Sequence, residues 1–206
     1  MAITTYTELK STIADFLNRD DLTSVIPTFI SLAEAQINRD VRHWKMENLS
    51  EASTSNKFLV KPSDWVENIK VGITNTGYNE LELVNQQEIG RLRRLYSDVR
   101  GEPECYIMSE NSYELFPTPD GEYDIELLYY QKVSSLSDEN TTNWLLSDAP
   151  DVYLYGALIH SSPYLKDDAR VTMFSQMYAA AVSQLNGSSS RAKYSGSGLR
   201  LKIRGY

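Results

Sequence analysis

Two histidines, His43 and His160, and one cysteine, Cys105, are the side chains here best suited to nucleophilic or general-base chemistry near neutral pH. A nucleophile of that kind needs a base beside it and a third group that orients the base. No such setting surrounds them. His43 adjoins Trp44 at what reads as a helix end, and His160 falls in a strongly apolar stretch, so both are expected to pack or hydrogen-bond. Cys105 stands beside Tyr106 in a strand-like run and is expected as a small apolar residue. Three acidic pairs, Asp20/Asp21, Glu102/Glu104 and Asp167/Asp168, offer the two carboxylates that glycan cleavage uses. Adjacent helix residues do not face each other, however, and each pair stands where a cap or surface turn is expected. H-E-x-x-H, C-x-x-C and EF-hand patterns are absent, as are the glycine-rich phosphate loops. The residues therefore predict no reaction, no metal and no cofactor.

The elements that would hold these side chains divide into three sections and a tail. Residues 1–45 read as two helices. Thr5 and Glu8 form a T-x-x-E capping box for a helix over 5–18, with Leu9, Ile13, Phe16 and Leu17 on one face. A second helix starts near Pro27 and carries the apolar line Phe29, Ala33, Ile37, Val41 and Trp44. Residues 46–134 read as a β-rich insertion with one helix. A hairpin turns around Asn75 to Gly77, Asn85 caps a helix bearing Ile89, Leu92 and Tyr96, and Asp120-Gly121 marks a turn. Beyond it Tyr123, Ile125 and Leu127 alternate with Asp124, Glu126 and Leu128.

Residues 135–186 return to helix. Asp148 is expected as a cap, with Pro150 and Asp151 in the first turn. Val152, Leu154, Tyr155, Leu158 and Ile159 are apolar nearly all round, as in a buried helix that Pro163 ends or kinks. Asp167 and Asp168 then start a helix with Val171, Phe174, Tyr178, Ala181 and Leu185 on one face. Residues 187–206 form a basic tail in which Gly and Ser dominate up to Gly198, as in a flexible linker. Leu199, Leu201 and Ile203 then alternate with Arg200, Lys202 and Arg204. That period of two is a strand pattern with no neighbour in sequence, so it predicts pairing with another chain's sheet edge. The fold class expected is α+β: a helical bundle from the N- and C-terminal helices, an inserted β-rich subdomain, and an extended C-terminal tail.

The charge is placed unevenly. The net charge is −8, and the five basic residues after Gly187 (Arg191, Lys193, Arg200, Lys202, Arg204) meet no acid, so −8 less +5 leaves −13 on the first 186 residues. An acidic body disfavours broad adhesion to nucleic acid. One thiol cannot make an intramolecular disulfide, which suits a reducing compartment. No secretory leader is visible at MAITTYTELK, and no apolar run approaches the ~20 residues that span a bilayer. Fourteen tyrosines against five phenylalanines point to surfaces that are apolar yet hydrogen-bonding. Tyr153, Tyr155 and Tyr164 are the residues expected at contacts between subunits, with a place at the edge of the core as the alternative for each.

Several segments, in this order, resemble the head-to-tail adaptor (connector) family of tailed bacteriophages. They are LNRDDLTSVIPTFISLAEAQINRDVR, KPSDWVE, and FPTPDGEYDIELLYYQKVSSLSDENTTNWLLSDAPDVYLYGALIHSSPYLKDD. The resemblance spans roughly residues 5 to 205 and rests on no catalytic motif. It implies a structural, non-enzymatic protein of the virion neck, made in the host cytoplasm. Such proteins form a ring, typically of twelve copies, beneath the portal protein. They extend the DNA channel, which DNA crosses without specific binding, and dock a downstream tail or nozzle protein; no membrane is involved. The family's C-terminal extension reaches the portal, which assigns Leu199, Arg200, Leu201, Lys202, Ile203 and Arg204 as the portal-binding segment. Some related adaptors of short-tailed phages are linked to cell-wall hydrolysis. A peptidoglycan hydrolase acting through carboxylates is therefore the alternative function, though no pattern here carries it.

Overall fold

A computed structural model of the chain describes residues 3–195 except 20, 76, 98, 166 and 167. Its helices, in chain order, are α1 (Tyr6–Leu17), α2 (Ile26–Asp40), α3 (Gln86–Leu95), α4 (Trp144–Asp148), α5 (Pro150–Leu165) and α6 (Asp168–Tyr194). Its strands are β1 (Glu47–Thr54), β2 (Phe58–Val60), β3 (Trp65–Ile73), β4 (Asn79–Glu80), β5 (Glu82–Leu83), β6 (Cys105–Met108), β7 (Ser112–Phe116) and β8 (Tyr123–Gln131). The class is α+β, as the periodicities predict. The chain divides into two compact units, Met1–Lys45 with Val133–Tyr206, and Met46–Lys132.

In the helical unit, α5 packs against α1, α2, α4 and α6. The capping box at the start of α1 is formed: Glu8 N–H donates to Thr5 Oγ1 at 3.3 Å, and Thr5 N–H donates to Glu8 Oε2 at 3.0 Å. Asn18, in the left-handed region at φ 50°, ends the helix. Leu9 and Ile13 are buried as expected, but Phe16 is 49% exposed, because the buried stripe of α1 is narrower than its apolar pattern. In α2, Phe29, Ala33 and Ile37 are buried, and Val41 is buried just beyond its end. Trp44 leaves that line. The helix stops at Asp40 and the indole, in a short 3-10 turn, is half exposed.

α5 is buried almost all round, as its composition predicts. Gly156 permits a close crossing: a methyl group there would stand 3.1 Å from Ala33 Cβ and 3.5 Å from the Tyr178 ring. Two local expectations are corrected. Asp148 caps no helix. It closes the extra helix α4, whose cap is Asn143, and Lys45 Nζ pairs with it at 2.5 Å. The Gly/Ser stretch from Gly187 is not a linker as far as Tyr194, because α6 runs through it. Tertiary bonds explain this. Trp44 N–H donates to the buried Ser189 Oγ at 2.8 Å, and Arg42 N–H donates to Asn186 Oδ1 at 3.0 Å. Ser188 Oγ satisfies itself on Leu185 O, and Arg191 and Lys193 fall in the last turn, where the helix dipole favours cations.

The β unit is a sandwich. One sheet has the order β1-β8-β3-β4 and the other β2-β7-β6-β5. Ile125, Leu127 and Tyr129 of β8 meet Tyr106, Tyr113 and Leu115 in the core between them. α3 covers the far face of the second sheet, where Ile89 packs on Cys105, Ile107 and Phe116. Its cap is Asn85, as the sequence predicts, although Tyr96 is exposed. β3 and β4 pair as a hairpin, with Gly77 at φ 101° in the turn. Tyr78 lies across Gly72, where a side chain would come within 2.6 Å of the phenol.

Candidate interaction surfaces

Those candidate chemical groups that are described each sit in their own local surroundings. The His43 ring is buried and stacks on Trp144 at 5.1 Å, and its Nδ1 accepts Lys45 N–H at 3.3 Å. His160 lies on α5 with its Nε2 buried and without a hydrogen-bond partner among the described residues. Burial, with the Arg39 charge second, holds its pKa below the usual value. The Cys105 thiol faces α3, and burial, reinforced by the Glu104, Glu82 and Glu88 carboxylates, raises its pKa. Such a thiol is a poor nucleophile at neutral pH. Glu102 accepts from Asn79 Nδ2 at 2.7 Å, and Asp21 is paired with Arg19. Asp20 and Asp167 lie outside the described residues. Among the described residues, no three His, Cys, Asp or Glu side chains gather as a metal site.

Two asparagines organise the interior of the units, one in each. In the helical unit Asn143 Oδ1 caps α4 at Leu146 N–H, while its Nδ2 donates to Ser134 O and to Tyr153 Oη, each at 2.7 Å. In the β unit Asn68 Oδ1 accepts Trp65 Nε1–H and Tyr113 Oη–H, each at 2.6 Å, and its Nδ2 donates to Tyr106 Oη at 3.3 Å. Neither asparagine stands out in the sequence. Asn143 is an N-cap and is legible only once α4 is known. Asn68 falls in the inward register of β3, where an isolated polar residue is the signal.

The tyrosines expected at subunit contacts separate. Tyr153 is corrected: at 1% exposed it is committed to the core, and burial raises its phenol pKa far above the usual range. Tyr155 is half-buried. Tyr164 is 58% exposed and stands edge-on to Phe29 at 5.6 Å. Between α2, α5 and α6 runs a groove of about 420 Å³ lined by Ile159, Tyr178, Ala179 and Val182, with Asp40 and Gln36 at its rim. The segment Leu199, Arg200, Leu201, Lys202, Ile203 and Arg204 lies outside the described residues.

The outer face of the β1–β8–β3 sheet gathers acid. Its inward residues are Ile125, Leu127 and Tyr129, so the alternating positions Asp124 and Glu126 of β8 face outward, opposite Ser53 and Glu51 of β1. Glu47 and Glu67 fall on the same face through Tyr130, with Lys70 opposite Leu128. A glutamate directly across from a glutamate destabilises a sheet.

No curated protein matches the sequence. The family described as SU10 adaptor protein matches residues 4–201, almost the whole chain, which bears out the resemblance to phage adaptors. The chain thus belongs to the SU10 adaptor protein family.

Proposed function

We propose that this protein is a structural adaptor of the phage virion that joins the portal to the tail. Copies form a ring of about a dozen beneath the portal protein, closed by head-to-tail contacts. The ring extends the DNA channel and presents a docking surface for a downstream tail or nozzle protein. The observation that carries this reading is the adaptor-family match over residues 4–201. The acidic outer face of the β1–β8–β3 sheet supports it, because a channel wall that carries carboxylates repels phosphates and does not hold passing DNA.

Leu199 to Arg204 form the portal-binding segment, an alternating basic and apolar strand that adds to a sheet edge of the portal. Tyr155 and Tyr164 serve contacts between helical units of neighbouring copies. The test is light scattering after size exclusion, on the protein alone and after mixing with its phage's portal ring. The expected result is a monomer alone and a heavier complex whose added mass corresponds to about a dozen copies. A chain ending at Ser195 keeps the packed Ser189 and all of α6, and is expected to stay folded but not to join the portal. Absence of a complex for the full chain overturns the adaptor reading. Normal attachment by the shortened chain overturns the role of the tail.

A further inference from the structure

A ring closed by rotation needs two different patches on each subunit, on opposite sides, that fit each other. The β2-β7-β6-β5 sheet has such a pair at its two edges. The β2 edge is apolar and basic. Val60 is 77% exposed, the most open large hydrophobic among the described residues, and Phe58 is 54% exposed. Lys57 and Lys61 flank them. Lys57 and Arg93 both pair with Glu114, and Lys61 Nζ donates to the Ser109 carbonyl at 2.5 Å and lies over the Trp65 ring, with no carboxylate partner among the described residues. The strand is also open. Lys57 O accepts from Leu115 N–H and Lys61 N–H donates to Asn111 O, so these positions face β7, and the backbone groups of Phe58 and Val60 between them face away.

The opposite edge is a cleft with acid at its rim. The chain from Asn79 to Leu83 crosses from β3 to β6, with Leu81 N–H donating to Val71 O and Glu82 N–H to Glu104 O. Between β3 and β5 this leaves a cleft of about 550 Å³, with Ile69, Leu81, Leu83 and Tyr106 in its wall. Glu80 and Glu82 are exposed in the same lining, which holds one cation, Lys70. Leu83 is half exposed, and its backbone groups face away from β6, because Glu82 and Val84 N–H groups already point toward that strand.

We propose that the β2 edge of one copy seats in the β3–β5 cleft of a second copy. Phe58 and Val60 enter the cleft, and Lys57 and Lys61 meet Glu80 and Glu82. The contact rests on the ring reading and supplies its subunit interface within the β unit. It also covers the two exposed apolar side chains of a short strand edge.

Cysteine cross-linking tests this in the full chain, because Cys105 is the one native thiol and can be removed as Cys105→Ala. Chains carrying Val60→Cys are mixed with chains carrying Leu83→Cys, assembled on portal rings and oxidised. The expected product is a mixed disulfide dimer, and a chain with both substitutions should give a ladder up to the ring. Assembled rings, seen by light scattering, without the mixed disulfide overturn the interface and leave the ring standing. Absence of rings from the native chain overturns both. As a second measurement, Lys61→Glu and Glu82→Lys should each weaken assembly by at least about tenfold, and the two together should restore most of it. Failure of the pair to restore assembly also overturns the proposal.

Discussion

At Gly156 of α5 the chain approaches Ala33 of α2 closely, and a double-mutant cycle with Ala33 measures that approach. Replacing Gly156 with alanine has two favourable parts. A glycine in a helix interior costs about 1 kcal/mol relative to alanine, and burying one more methyl contributes about 0.8 kcal/mol. The opposing part is contact. The new methyl would stand 3.1 Å from Ala33 Cβ, short of the ~3.5–4.0 Å that carbon atoms prefer, and overpacking of this kind costs about 1–3 kcal/mol. Gly156→Ala alone is therefore expected close to neutral, within about 1 kcal/mol either way. In an Ala33→Gly background the obstruction is gone. There the same change should stabilise by nearly the full ~1.8 kcal/mol, a coupling of about 1–3 kcal/mol. Urea unfolding of the four proteins, followed by tryptophan fluorescence and fitted for the helical unit that holds Trp44 and Trp144, gives the cycle. Additivity within about 0.5 kcal/mol would refute the claim that this crossing is sterically tight.

Two further outcomes follow from the buried polar groups. Asn68→Ala should destabilise the β unit by about 3 kcal/mol, since it strands the Tyr113 hydroxyl and the Trp65 indole N–H, whereas Tyr113→Phe should cost only about 1 kcal/mol; equal losses in urea unfolding would contradict the assignment of Asn68 as the shared acceptor. His160 has a folded pKa below its unfolded value of 6.5, so the unfolded chain binds the extra proton first. The melting midpoint of the helical unit should therefore fall as pH drops from 7 through 6.5 toward the folded pKa, and His160→Phe should flatten that slope; an unchanged pH profile in the variant would refute the role of burial at this histidine.

Much of the fold was legible because local signals and tertiary contacts agree. The capping box of α1, the cap of α3, the apolar line of α2 and the inward series of β8 each follow from spacing, and the core uses them as spaced. The misreadings fall where tertiary structure outvotes composition. Asn-Gly-Ser-Ser-Ser reads as linker, yet Ser189 and Asn186 are bonded to the backbone of Trp44 and Arg42, over a hundred residues away in the chain, and their hydroxyl and amide groups are satisfied within a helix. Asp148 and Pro150 read as the start of one helix. The chain instead fits a separate helical turn before it, because Asn143 is bonded both to α4 and to Tyr153. Tyr153 reads as interface material because a tyrosine carries a polar tip, but that tip is satisfied indoors by an asparagine that no periodicity reveals.

The interaction surfaces were harder to read for a physical reason. A catalytic site concentrates unusual residue types at fixed spacing, so a sequence displays it readily. A subunit interface is made of ordinary residues, and what sets it apart is which strand edge they stand on. Lys-Phe-Leu-Val-Lys looks like any amphipathic strand until β2 is known to be an edge, and Glu80 and Glu82 look like surface acids until they rim the cleft at the other edge of the same sheet. An isolated subunit gains nothing from setting Glu51 opposite Glu126, and leaves Val60 and Phe58 open side by side on one strand edge. In the proposed ring, the strand edge is covered by a neighbouring copy and the acidic pair faces the passing DNA.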